Sequence, residues 1–133
     1  MKKLLIVDDE KEFRVLLKDI FEARGFICLT AGDGREAIKI AKNERPSVII
    51  MDLIMPKMDG IETHNALKSD RNTKSIPIIA YTAQDPEVVA KKGEKALDII
   101  DFVVKPFDTR ALISSVEKAL ASLPKKPKKP REY

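Results

Sequence analysis

The chain has 133 residues, 44% of them hydrophobic and 35% charged, the balance of a single globular domain with a buried core. One cysteine, Cys28, excludes a disulfide framework and cannot make a zinc site alone, and no apolar run approaches the length of a membrane span. The formal charge of +4 lies in 124–133, where five basic residues face one acid; 1–123 carries 20 basic and 20 acidic groups, which excludes a basic nucleic-acid-binding domain.

The first apolar run, 4–7, is too short for an export signal and is followed at once by Asp8, Asp9 and Glu10. It reads as a buried strand ending in carboxylates. Phe13, Leu16, Leu17, Ile20 and Phe21 then fall at helical spacing, and Gly25 closes that helix. A second strand is predicted over 26–31. Asp33 and Glu36 have capping-box spacing and open a helix to about Asn43, with Ala37, Ile38 and Ala41 on its inner face. The run Val48, Ile49, Ile50, Met51 has no polar alternation, as in a strand buried on both faces, and Asp52 ends it. Pro56, Asp59 and Gly60 mark the turn that follows.

A weakly patterned helix is expected over 60–69, anchored by Ile61 and Leu67, with His64 half-exposed on it. A fourth strand is predicted over 76–81, with Pro77 tolerated near its start and Thr82 at its end. Asp85-Pro86 has the form of an N-cap followed by a first-turn proline, opening a helix to about Leu97 that carries Gly93 inside. The fifth strand is expected over 99–104, and Lys105 follows it. Asp108 caps a last helix with Leu112, Ile113, Val116, Leu120 and Leu123 on one side, and Pro124 ends it.

Five strands alternating with five helices predict an α/β fold, a parallel sheet covered on both faces by right-handed crossovers. Ligands of such sheets bind beyond the carboxyl ends of the strands. The strand-end residues are Asp8, Asp9, Asp52, Thr82 and Lys105, and they converge if strand one lies beside strand three. Three acids at one mouth repel each other and form an oxygen-rich set suited to Mg²⁺. A metal there would offset the repulsion and hold a phosphoryl group by its oxygens. Lys105 offers a compact positive charge to a phosphate oxygen, and Thr82 a hydroxyl donor. Asp52, so flanked, is placed to act as a nucleophile and accept phosphate. Taken one at a time, Asp8 and Asp9 would serve as helix caps; Asp52 and Lys105 in the same mouth favour the site.

The stretches VDDE at 7–10, MDLIMPKMDG at 51–60, YTA at 81–83 and KPF at 105–107, in this order on this alternation, closely resemble response-regulator receiver domains over about 2–123. The resemblance implies a five-stranded parallel sheet of order 2-1-3-4-5, doubly wound and flavodoxin-like. It implies Asp52 as phosphoacceptor, and Asp8, Asp9, Asp52 and the Ile54 backbone carbonyl as Mg²⁺ ligands. Thr82 and Lys105 would contact the phosphoryl group, with Asp52 and Lys105 carrying the chemistry and Lys105-Pro106 a cis peptide. Phe102 would be the switch aromatic, its ring turning inward as Thr82 moves and changing the face made by helix four, strand five and helix five. The implied activity is a phosphorelay response regulator that phosphorylates and slowly dephosphorylates itself but turns over no metabolic substrate. The implied partners are a sensor histidine kinase or histidine phosphotransfer protein and a downstream effector protein, with no intrinsic DNA-binding domain; the single cysteine separately fits a reducing cytoplasm.

Two positions depart from the common pattern. Receivers often have a glycine-containing turn ahead of strand five, where this chain reads Leu97-Asp98-Ile99-Ile100-Asp101. Ile54 is apolar where some fast-cycling relatives are polar, which predicts a long-lived phospho-Asp52. Ile54 also bears on an aspartate-nucleophile phosphohydrolase, which needs an acid at that position. A phosphate-independent scaffold would be expected to lack one of the acids, Thr82 or Lys105, and all are present. The tail PKKPKKP, with prolines at every third position, is expected to be disordered and solubilising over 124–133; the functional alternative is docking to an acidic partner.

Overall fold

The computed structural model describes residues 2–52, 60–82, 101–104 and 109–121, with Thr82 and 101–104 described as backbone alone. The elements in order are β1 (Lys3–Val7), α1 (Lys11–Glu22), β2 (Ile27–Ala31), α2 (Gly34–Glu44), β3 (Val48–Asp52), α3 (Gly60–Ser69), β4 (Ile78–Thr82), β5 (Asp101–Val104) and α4 (Thr109–Ala121). The strands form one sheet in the order β2-β1-β3-β4-β5, and every neighbouring pair is parallel. The predicted helix over 85–97, the Asp108 cap and the 124–133 tail lie outside the described residues.

The continuous apolar runs make sense against this topology. A central parallel strand has a helix layer on each face, so both sets of alternating side chains must be apolar. Leu5, Val7, Ile49, Met51, Ile78 and Ala80 point to one side, where Ala37 and Ala41 of α2 and Ile61 and Leu67 of α3 meet them. Leu4, Ile6, Val48, Ile50, Ile79 and Tyr81 point to the other, against Leu17 and Phe21 of α1 and Leu112, Val116 and Ala119 of α4. Each fully buried Leu or Ile contributes roughly 1.5–3 kcal/mol through burial. β3, buried throughout, sits in the middle of both layers, and its last residue is Asp52.

Local sequence sets the element ends. Gly25 takes φ +94° after α1, and the Phe26 N–H returns to the Phe21 carbonyl at 3.1 Å. The Asp33 side chain accepts the Glu36 N–H at 2.9 Å, as the capping box predicts. The reciprocal bond differs: Glu36 Oε1 accepts from the Gly32 N–H at 2.8 Å, one residue earlier than a reciprocal box would have it. Pro77 precedes β4 because it cannot donate to the ladder, and its carbonyl accepts the Ile49 N–H at 3.0 Å.

Two expectations are corrected, and a third holds in part. Leu16 belongs to the predicted stripe of α1 but is 47% exposed, beside Val15 at 48%. α1 faces the sheet along the Leu17–Phe21 line, so Leu16, about 100° round the helix, turns to solvent. His64 is buried, not half-exposed, because the inner face of α3 includes the polar pair Thr63 and His64 with Ile61 and Leu67. The expected face of α4 holds in part: Leu112 and Val116 are buried and Ile113 and Leu120 pack against the same core, while Ser115 and Ala119 complete the buried line and Leu123 lies outside the described residues. Small Ser115 and Ala119 suit that close approach to the sheet.

Candidate functional site

Parallel register brings the strand-end acids together. Val7 pairs with Met51, so the chain leaves β1 and β3 at the same level, and Asp8 and Asp52 emerge side by side. One oxygen from each of Asp8, Asp9 and Asp52 lies within 4.8 Å of the others. The three differ in setting. Asp8 is fully buried, Asp52 nearly so, and Asp9 is exposed. Partial desolvation, then the negative charge of Asp8, push the Asp9 carboxyl above its ordinary value; its own backbone N–H pulls the other way.

Asp8 is held by several donors. The Glu10 N–H gives a 2.9 Å bond to Oδ1, and the Tyr81 hydroxyl donates to Oδ2. The Asp8 carbonyl accepts from Arg14 Nη1 at 2.7 Å, and its N–H bonds the Ala31 carbonyl at 3.1 Å. Burial, then the charge of Asp8, keep the Tyr81 phenol protonated far above its ordinary range, so it acts as a donor. Three close carboxylates with hard oxygen donors, one of them fixed by hydrogen bonds, fit a small divalent cation.

The sequence of residues 4–117 matches the model of the response regulator receiver domain. This chain belongs to that family. It is a receiver domain of the two-component response-regulator kind, whose function is a phosphorylation-controlled switch. It is 38% identical over 119 residues to the alkaline phosphatase synthesis transcriptional regulatory protein PhoP of Bacillus subtilis, covering 90% of this chain and 48% of that protein. It is 31% identical over 121 residues to protein PilH of Pseudomonas aeruginosa, covering 91% of this chain and 99% of that one. The chain therefore spans about half the length of PhoP and nearly all of PilH. Its structure is similar to that of the chemotaxis protein CheY4 of Vibrio cholerae, with a TM-score of 0.82 at 35% identity, covering 90% of this chain and 99% of the other. The fold is thus the flavodoxin-like α/β fold with a parallel sheet.

Of the residues that the receiver motifs single out, Asp8, Asp9 and Asp52 stand together at the sheet end. The Thr82 backbone ends β4 and pairs with Val104, and the Phe102 backbone pairs with Ala80 on β5; their side chains lie outside the described residues. Ile54 and Lys105 lie outside them as well.

Tyr81 is the residue that sequence reasoning missed, having entered only as a letter of the YTA stretch. Its backbone pairs with Asp52, so the two side chains share a face, and its hydroxyl reaches the acid of the strand beyond. The signal was present. A tyrosine in an otherwise aliphatic buried strand must find a partner for its hydroxyl.

Proposed function

We propose that this receiver domain is a phosphorelay response regulator in which Asp52 accepts a phosphoryl group. The observation that carries the reading is the carboxylate trio at the carboxyl end of β1 and β3. Asp8, Asp9 and Asp52, with the Ile54 carbonyl, would hold Mg²⁺, which supplies charge neutralisation and a grip on phosphoryl oxygens. An Asp52 carboxylate oxygen attacks the phosphorus of a phosphohistidine. The P–N bond breaks, and the imidazole departs with its electron pair. Lys105 and the Thr82 hydroxyl stabilise the charge on the phosphoryl oxygens.

The switch proposed is the movement of Thr82 toward the phosphoryl group with inward rotation of Phe102. It would change the face formed by the segment 85–97, β5 and α4, completing a doubly wound fold of five strands and five helices. Two surfaces in equilibrium, with phosphoryl contacts favouring one, suffice for signalling. The donor would be a sensor histidine kinase or a histidine phosphotransfer protein, and the recipient an effector protein, all in the cytoplasm. Among the described residues no helix is long and apolar enough to cross a membrane. The receiver would occupy 1–123, with 124–133 a separate Lys/Pro-rich segment.

The test is incubation with a small phosphodonor and Mg²⁺, read by intact mass. Gain of one phosphoryl group that Asp52→Asn abolishes supports the reading. Failure of the unsubstituted chain to gain it would favour a phosphate-independent binding module.

A further inference from the structure

Asp8 is the most enclosed member of the acidic trio, and it is held from two directions. The Glu10 amide occupies Oδ1 from the chain's own turn. The other oxygen accepts from Tyr81, which is 73 residues away in sequence and two strands away in the sheet. β3 lies between them, and Tyr81 is the backbone partner of Asp52. The phenol therefore extends past the Asp52 position before it meets Asp8. Its ring is fully buried and fixed edge-on against Phe13, with centroids 6.3 Å apart and planes at 63°.

A carboxylate at a strand end rotates broadly about its last torsion, so its oxygens have no fixed direction unless donors supply one. With a donor on each oxygen, the plane of the Asp8 carboxylate is set. A carboxylate oxygen has two acceptor sites, so accepting a hydrogen bond does not bar it from ligating a cation or a water on that cation. Donors placed behind ligating carboxylates orient them and govern metal affinity.

We propose that Tyr81 is a positioning residue, holding the Asp8 carboxylate in the orientation that receives the divalent cation. The inference rests on reading the acidic trio as a cation site. It adds that part of the site's affinity is stored in a side chain that never touches the metal. The phenol links β4 across β3 to the acid of β1, so a shift of β4 reaches Asp8 directly.

The experiment compares the full chain with Tyr81→Phe by calorimetric titration of Mg²⁺. Phenylalanine keeps the ring against Phe13 and removes the hydroxyl alone. The expected result is a rise in Kd of about 10-fold or more with native circular dichroism. Leu67→Ala, on the opposite face of the sheet, controls for general destabilisation and should leave the Kd unchanged. Equal weakening by Leu67→Ala, or an unchanged Kd in Tyr81→Phe, overturns the inference alone. An unsubstituted chain that binds no Mg²⁺ overturns the cation site and this inference together. If Tyr81→Phe does not fold, nuclear magnetic resonance of the unsubstituted chain decides. A slowly exchanging Tyr81 hydroxyl proton that shifts on Mg²⁺ addition supports the role, and a freely exchanging one refutes it.

Discussion

Removing the charge of Asp9 should stabilise the metal-free protein. Its ligand oxygen lies within 4.8 Å of those of Asp8 and Asp52. Two unit charges at that distance repel by about 0.9 kcal/mol in a water-like dielectric and by about 3.5 kcal/mol at an effective dielectric of 20. Asp9 is exposed, so the water-like value applies to its two pairs. Asp9→Asn should therefore gain roughly 2 kcal/mol at low ionic strength. At 0.15 M salt, with a Debye length of about 8 Å, about half of that remains. The corresponding rise in melting temperature is about 3–5 °C. The raised Asp9 pKa has the same sign, because the folded state resists ionising this carboxyl. The assay is urea denaturation followed by circular dichroism, in chelator, across a series of NaCl concentrations. With Mg²⁺ added the gap should narrow, since tenfold excess over Kd stabilises the unsubstituted chain by about 1.4 kcal/mol and the variant by less. An Asp9→Asn protein less stable than the parent in chelator at low salt, or a gap indifferent to NaCl, would refute the electrostatic reasoning.

Gly25→Ala should destabilise by about 1–2 kcal/mol in urea titration, because φ is +94° while nothing lies within 4 Å of the added methyl, so the cost is conformational alone. The Cys28 thiol, pushed up to about 11 by burial and then by the charge of Glu22, should alkylate about 100-fold more slowly at neutral pH than an unperturbed cysteine, as mass spectrometry after iodoacetamide would show. The same shift has a stability consequence. The folded state keeps a proton that the unfolded state loses, so stability should fall as pH rises from about 9 to 11, and Cys28→Ala should flatten the first part of that decline, below the range near pH 10 where the Tyr81 phenol begins to add its own. Ile54→Asn should shorten the lifetime of phospho-Asp52 by admitting the attacking water, and a phosphate-release assay giving the same half-life for both proteins would dismiss that role.

The strand ends were legible because a parallel sheet demands apolar runs, and a carboxylate after such a run stands out. Val48 to Met51 followed by Asp52 needed no tertiary knowledge. What escaped depended on contacts between distant elements. Leu16 fits the helical period as well as Leu17 does, and only the direction from which α1 meets the sheet separates them. His64 and Thr63 are polar residues on an inner face, so hydropathy places them outside. The Tyr81–Asp8 bond joins β4 to β1, and its existence depends on strand order, which periodicity alone does not supply.

Alternation along the strands divides labour between the two sides of the sheet. Asp52 pairs with Tyr81, and both lie on the side that α1 and α4 cover. The side under α2 and α3 contributes volume and no site chemistry among these residues. A single-residue insertion or deletion within β3 would send Asp52 to that second side and destroy the site, however conservative the inserted residue. Substitutions under α2 and α3 that preserve volume would leave the acidic mouth intact. The molecule is thus brittle to changes in strand length and permissive in half of its core, so redesign for stability has a natural hemisphere in which to work.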